Sequence, residues 1–325
     1  MDARLRAHLL AIEPSDEEFV DGLFGFVLRR DADTEARERA LAKLAEGTLS
    51  RATLLEELVT SNEFIRVRQL DDAVAFARGA RDRGERPRRL EGPPATDERV
   101  VEIPWVLARL RSGRVLEVGY AFAEPAYVAG LLEAAPRELV GLDLAQGAVP
   151  GMETVQGDVR ELPFPAADFD QVLLVSTLEH VGADNERYGV EGVADGGGMR
   201  AALREVRRIL RADGSLLVTV PLGEPEDYGW FRQEDVRGWT RLFTHAGFFV
   251  EEQEVYELTA DGWHAAPTFE AAGVRYGERG PAAGAVLCVE LSPNRLRRWV
   301  SLDGLKRTAR RKAGPTWHRL RPLDS

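Results

Sequence analysis

Three acids and a histidine stand where apolar runs of this 325-residue chain come to an end: Glu117, Asp143, Asp158 and His180. Glu117 lies two residues before Gly119 in RVLEVGYAFAEPAY, the stretch from Arg114 to Tyr127, and a carboxylate there suits a ligand with a cationic amine. Asp143 closes a second run, Leu139 to Leu144, 24 residues past Gly119, where an acid can accept both hydroxyls of a ribose. Gly157-Asp158 closes the short run ETVQGDV from Glu153 to Val159. A pyrophosphate is not expected at Gly119, because the following residues are Tyr120, Ala121, Phe122 and Ala123 and not the glycines that let a backbone approach phosphate. His180 follows a run that begins at Asp170 and stops at Ser176, and histidine is the side chain best matched to take a proton from a hydroxyl near neutral pH. Of the other histidines, His264 in the Asp261-Gly-Trp-His loop is the second candidate base, and His245 inside DVRGWTRLFTHAGF reads as structural.

These residues need strands to carry them. RVLEV, LVGLD, ETVQ and FDQVLLV read as strands, and MRAALREVRRIL as an amphipathic helix leading through Asp213-Gly214 into the strand that ends at Pro221. The order strand, helix, strand, strand, helix, strand indicates a parallel doubly wound α/β sheet. Such a sheet binds ligands at the carboxyl ends of its strands, where all four residues fall.

The run at Gly119 resembles the first motif of class I S-adenosylmethionine-dependent methyltransferases, with alanine at 121 and 123 where the family has glycine. Gly157-Asp158 resembles the third motif, and Leu178-Glu179-His180 a tripeptide found in many small-molecule members. The resemblance covers residues 97 to 291 and implies a mostly parallel, seven-stranded Rossmann-like sheet with S-adenosylmethionine as cofactor. It assigns the methionine amine to Glu117 and the ribose to Asp143. Asp158 would take the adenine amine, with Val159 on the ring. Gly119, Tyr120, Ala121, Leu144 and Ser176 complete the expected cofactor contacts, with Tyr120 and Phe122 placed to shelter the sulfonium.

Two insertions are expected to shape the acceptor site. Val181 to Gly198 holds four acids, Asn185, Arg187, Tyr188 and three consecutive glycines, as long functional loops do. Asp184, Asn185 and Asp195, with Glu179 and His180, offer oxygen and nitrogen ligands for a hard cation, but they lack the spacing of a ligand set and read as solvated loop residues, so no metal is expected. Thr259 to Gly284 carries Trp263, His264, Phe269 and Tyr276, aromatic faces beside polar groups that suit a sugar ring. The RYG and VPLG…WFR segments are also similar to methyltransferase-like proteins found beside polysaccharide biosynthesis enzymes. The expected activity is therefore O-methylation of a saccharide, whether glycan, lipid-linked or nucleotide sugar. Methylation of a small secondary metabolite and a non-catalytic scaffold in glycan assembly stay open.

Residues 1–80 differ in character from the rest. Ser15 with Glu18, then Asp33, Ser50 and Ser61, are placed to start helices, and Leu41, Leu44, Leu54, Leu55, Leu58, Phe64 and Ile65 recur at helical spacing. This segment resembles short helical modules of uncharacterised function that accompany enzymes of bacterial surface-glycan assembly. It offers no chemistry, since it has no cysteine and its one histidine, His8, has no partner there; docking or self-association is expected of it. Residues 81–96 are charged and rich in Pro and Gly, the composition of a linker, and Thr96 is placed to cap the helix that leads into the first strand.

With 44% hydrophobic and 30% charged residues the chain suits a globular enzyme of two domains. Its single cysteine, Cys288, in the apolar run Ala285 to Leu291, is expected to be a buried small hydrophobe. No apolar run reaches the ~20 residues of a membrane span and the amino terminus lacks a signal sequence, so a cytoplasmic protein is expected. The net charge of −11 hides an asymmetry: Ser292 to Ser325 holds ten Lys/Arg against two Asp, a net of +8, leaving −19 before it. That tail, with Leu296, Trp299, Val300, Leu302 and Leu305, is expected either to pack on the acidic body or to meet an anionic membrane surface. An acidic body speaks against a nucleic-acid partner.

Overall fold

The computed structural model describes residues 15–186, 195–267, 273–280 and 282–294. Compact units divide between Asp72 and Ala73. In the first, α1 (Asp16–Leu28), α2 (Thr34–Ala45) and α3 (Arg51–Val59) begin where the capping residues stand: the side chains of Ser15, Asp33 and Ser50 accept the backbone N–H of Glu18, Ala36 and Thr53. Helix α4 (Asn62–Asp82) follows Ser61, whose hydroxyl accepts the N–H of Phe64 at 3.1 Å, and runs past the division between the units. Phe19, Val20, Leu23, Phe24, Val27, Leu28, Leu54 and Leu55 form the core of this unit, with Leu41, Leu44, Leu58 and Phe64 packed against it. Ile65 departs from the expected apolar face and is 44% exposed.

The second unit is built on one eight-stranded sheet in the order β3-β2-β1-β4-β5-β10-β8-β9. Strands β1 (Arg114–Val118), β2 (Glu138–Asp143), β3 (Glu153–Gln156), β4 (Phe169–Val175) and β5 (Leu210–Pro221) are parallel to one another. β10 (Ala285–Ser292) inserts antiparallel between β5 and β8 (Phe249–Thr259). The expected count of seven is exceeded by β9 (Gly262–Ala266), which the second insertion contributes as an antiparallel edge strand on β8. A separate two-stranded ribbon pairs β6 (Glu226–Asp227) with β7 (Arg232–Gln233). Helices α5 (Arg99–Leu107), α6 (Pro125–Glu133), α7 (Gly198–Ile209) and α8 (Val236–His245) belong to this unit. Leu116, Val118, Val140, Leu142, Val172, Leu174, Leu216 and Val218 are buried, as strands covered on both faces require. Cys288 is buried in β10, and burial pushes its thiol well above the ordinary value.

The stretch read as a linker is tied to the antiparallel half of the sheet. Arg86 reaches Glu290 at 2.6 Å, Arg88 lies 3.3 Å from Glu254, and Gly92 exchanges backbone hydrogen bonds with Trp263 at 2.9 and 2.8 Å. Leu90 is buried. Arg86 and Arg88 therefore answer acids on β8 and β10, while Arg83 and Glu85 pair with each other at the surface. Thr96 does not cap α5; its hydroxyl donates to the Pro93 carbonyl at 2.7 Å, and α5 begins at Arg99 without a side-chain cap. Among the described residues no helix is long and apolar enough to cross a membrane. His8, Arg187, Tyr188, Phe269 and the tail from residue 295 on lie outside the described residues.

Candidate active site

β1 lies between β2 and β4, so the chain winds away from it in both directions and leaves a crevice at the carboxyl ends of these strands. Gly119 forms the turn there with φ 93°, and its N–H donates to the Leu142 carbonyl at 2.9 Å. A Cβ at this position would come within 2.7 Å of Thr177 Oγ1. That hydroxyl lies 3.0 Å from the Val118 carbonyl and 2.9 Å from that of Val175, tying the ends of β1 and β4 together. Glycine is required at 119 for its dihedral and for this close approach alike.

Glu117 is buried at the floor of the crevice, where the Tyr127 hydroxyl of α6 donates to its Oε2 at 2.7 Å. Burial raises its pKa well above the ordinary carboxylate value, and the nearby charge of Asp143 adds to the rise. A buried carboxylate with one neutral donor gains most from a cation brought beside it. Asp143, at the end of β2, accepts the N–H of Ala121 at 3.0 Å on one oxygen and that of Ala145 at 2.9 Å on the other. Each oxygen keeps a second lone pair for a hydroxyl donor. The donor set thus fits an amine at Glu117 and a diol at Asp143.

The other expected cofactor contacts divide. Leu144 is exposed beside Asp143, and Ala121 faces it through its backbone. Tyr120 turns inward: its ring packs against Gly141 and its hydroxyl donates to the Gly147 carbonyl at 2.8 Å, so it stiffens the turn and is no aromatic shelter for a sulfonium. Phe122 is 56% exposed. Val159 is buried in the main core, which takes its side chain away from a ligand ring. Asp158 is clasped by Arg160, with Nη2 to Oδ2 at 2.6 Å, and this pairing holds its carboxyl below the usual value against the effect of burial. Ser176 sits at φ 45° and turns its hydroxyl away from the Gly119 turn, donating to Glu102 of α5 at 2.9 Å. A non-glycine residue at positive φ is strained and is held only where its surroundings fix it; here the Thr219 hydroxyl and carbonyl both accept its N–H, at 3.0 and 3.1 Å.

On the acceptor side, Leu178 to His180 form a single 3₁₀ turn past the end of β4. His180 Nδ1 lies 2.9 Å from the Trp230 carbonyl. A carbonyl only accepts, so Nδ1 carries the hydrogen and the neutral ring keeps its lone pair on Nε2. The ring stacks on Trp230 at 5.3 Å between centroids. Tyr228, Trp230, Phe231 and Tyr276 continue it as an aromatic group, with Tyr228 and Phe231 stacked at 4.7 Å.

Beneath His180 lie three buried glutamates that the sequence reading passed over or placed elsewhere: Glu98 and Glu102, a turn apart on the α5 side, and Glu179. Glu179 Oε1 is 4.0 Å from His180 Nε2. Burial raises all three, Glu98 to about 7, and the acids reinforce one another. Among the described residues, Oε2 of Glu98 and Oε2 of Glu179 have no hydrogen-bond partner. Arg99 is the cation that moderates this group.

His264 is on β9, four strands away from β4, or roughly 19 Å at the usual strand spacing. Trp263 is wholly buried, its indole N–H donating to the Thr96 carbonyl at 3.1 Å, so it anchors the 92–96 stretch and is no sugar platform. Asp184 and Asp195 hold backbone N–H groups of their own loop, those of Glu186 and Gly197, and Asn185 reaches the His180 carbonyl at 3.4 Å. Among the described residues no three His, Cys, Asp or Glu side chains gather as a metal site.

Residues 116–218 match the family model described as a methyltransferase domain, and residues 7–67 match a domain of unknown function. A protein of Encephalitozoon cuniculi, provisionally named a methyltransferase, is 33% identical over 88 residues, 25% of this chain and 36% of that protein, so the likeness spans about a third of the relative. Among solved structures, a protein of Bacillus halodurans with a provisional methyltransferase name is 16% identical (TM-score 0.41; 59% of this chain and 97% of that one). The 1,6-didemethyltoxoflavin-N1-methyltransferase of Burkholderia thailandensis, solved with its substrate and S-adenosylhomocysteine, is 14% identical (TM-score 0.39; 81% of this chain and 92% of that one). The methyltransferase-domain match runs from within β1 to within β5, the strands around Glu117 and Asp143, whose donor set fits an amine and a diol.

Proposed function

We propose that the chain transfers a methyl group from S-adenosylmethionine to a saccharide hydroxyl. The observation that carries this reading is the orientation of His180, whose Nδ1–H is held by the Trp230 carbonyl at 2.9 Å so that Nε2 is the basic nitrogen at the carboxyl edge of β4. The cofactor supplies an electrophilic methyl group on a sulfonium, transferred by in-line displacement, so much of the catalysis is positioning. Glu117 holds its amine and Asp143 its ribose hydroxyls, with Leu144 and the turn from Gly119 to Ala121 beside them. Asp158 binds the adenine amine through the oxygen capacity that Arg160 leaves. An acceptor hydroxyl is a weak nucleophile at neutral pH; His180 Nε2 takes its proton as the oxygen bonds to carbon. Trp230 and Tyr276 offer faces for a sugar ring, and Glu179, 4.0 Å from His180 Nε2, is the acid beside the base.

The helical module, matched to a domain of unknown function, is proposed to dock the enzyme to a partner or to a second copy. The test is a methyl-transfer assay with labelled S-adenosylmethionine against nucleotide sugars, polyprenyl-linked sugars and small phenols. Transfer to a sugar hydroxyl is the expected result. Transfer to phenols alone replaces the saccharide reading with the small-metabolite one, and failure to bind S-adenosylhomocysteine by calorimetry leaves a non-catalytic scaffold.

A further inference from the structure

The opposite edge of the sheet, where the parallel strands begin, carries a cavity of about 740 Å³. Its lining includes Arg111 just before β1, Arg137 just before β2, Asp170 and Arg211 as the second residues of β4 and β5, and Arg81 and Asp82 at the end of α4. Four guanidiniums therefore face two carboxylates, in a chain whose net charge is −11. Asp170 is fully engaged: its Oδ2 accepts the Arg114 N–H at 2.7 Å and its Oδ1 the Arg211 guanidinium at 2.6 Å, with Arg137 at 3.7 Å. Gly113 makes this possible, since a Cβ there would come within 2.2 Å of Asp170 Oδ2.

Arg81 and Arg111 have no carboxylate at ion-pair distance among the described residues. Arg81 donates Nε to the Leu110 carbonyl at 3.2 Å, and Arg111 donates Nη1 to the carbonyls of Asp170 and Asp213 at 3.2 and 2.8 Å. Burial holds the Arg111 guanidinium below its ordinary value despite the acids around it. Two half-buried cations satisfied among the described residues by carbonyl dipoles gain from an anion with several acceptor oxygens, and the planar fork of arginine matches phosphate best.

The described chain also ends on this edge. β10 is antiparallel to β5, with Leu291 opposite Leu216, so it delivers the chain there, and residues 292–325 hold ten Lys/Arg against two Asp.

We propose that this cavity binds a phosphoryl group, supplied by a soluble phosphate or by a lipid headgroup. The inference is independent of the methyl-transfer reading, because it uses none of the residues of the crevice. The probes are inorganic phosphate, titrated calorimetrically into the full chain at low salt, and vesicles of phosphatidic acid or phosphatidylcholine in co-sedimentation. Arg81→Ala/Arg137→Ala removes two guanidiniums whose loss leaves no buried carboxylate unpaired, and its thermal midpoint is expected to stay near that of the parent. The double variant is expected to bind phosphate at least tenfold more weakly. If it also loses phosphatidic acid vesicles, the headgroup is the source; if vesicle binding is unchanged while phosphate binding falls, the source is soluble. The proposal is overturned if the full chain binds neither probe, or if the folded double variant binds both as the parent does.

Discussion

The carbonyl of Trp230, in the turn of the β6–β7 ribbon, lies 2.9 Å from His180 Nδ1 and fixes which nitrogen of the ring can act as a base. The constraint comes from backbone, so it survives any side-chain substitution at 230 that keeps the turn. His180→Ala is expected to leave S-adenosylhomocysteine affinity nearly intact and to lower turnover roughly 100-fold or more, with loss of the acidic limb of the rate profile. Wild-type turnover in a folded variant would reduce His180 to a wall of the pocket.

Asp143 spans two backbone N–H groups and is proposed to hold the ribose. Asp143→Ala is expected to weaken S-adenosylhomocysteine binding by about 1.5–3 kcal/mol, the scale of hydrogen bonds to a charged group. Calorimetry on the folded variant checks it, and unchanged affinity removes the residue from the cofactor site.

Glu117 gives a pH test with a definite sign. Its pKa lies well above the ordinary value because it is buried, and the Tyr127 hydroxyl pulls in the other direction by stabilising the charged form. An amine is held best by the ionised carboxylate, so cofactor affinity is expected to fall as pH drops through the raised pKa. Tyr127→Phe removes the stabilising donor, moves that fall to higher pH, and leaves the plateau at high pH in place. A profile that does not move with this substitution contradicts the pairing.

The ends of the parallel strands were legible in the sequence because each is an apolar run closed by an acid or glycine, which put Glu117, Gly119, Asp143 and His180 on one edge. Glu102, in α5 (RVVEIPWVL), and Glu98 just before it were not, because acids at a short helix read as solvated until that helix is known to bury their face. Trp230 acts through its carbonyl, which no side-chain pattern reveals. The misread linker did leave a signal: Glu252 and Glu254 are two apart on β8 and so share one face of a buried sheet, which asks for cations from elsewhere.

Glu98, raised to about 7 by burial, ties fold stability to pH. The folded state binds this proton more tightly than the unfolded chain does, so the contribution of Glu98 is fully present below about 4.5 and is lost as pH rises towards 7. Urea midpoints are expected to fall over that window, and Glu98→Gln, which cannot ionise, is expected to flatten the fall. An equally steep fall in the variant assigns it to Glu102 or Glu179.

Arg109 answers the acids of β8. Its side chain is wholly buried, with Nη2 2.7 Å from Glu252, Nη1 donating to the Trp105 carbonyl at 3.0 Å and the guanidinium 4.0 Å above the Trp105 ring. It also donates to the Pro87 carbonyl at 3.1 Å, so a single cation joins α5, β8 and the 81–96 stretch. Arg109 holds Glu252 below its usual value despite burial, so this carboxylate stabilises the fold above its unfolded pKa and loses that effect as pH falls through the lower folded one. Removing one member of a buried pair costs about 3–5 kcal/mol where the other is left charged and unpaired, and here the cost falls towards about 3 kcal/mol because Arg88 and Arg86 remain 3.4 and 3.9 Å from Glu252; removing both members costs far less. Arg109→Met is accordingly expected to lower the urea-unfolding free energy by that amount at pH 7, and Arg109→Met/Glu252→Leu to recover most of it. A double variant no better than the single one means that the guanidinium acts mainly through the Pro87 and Trp105 carbonyls, and that 81–96 is held to the sheet by backbone contacts and not by charge.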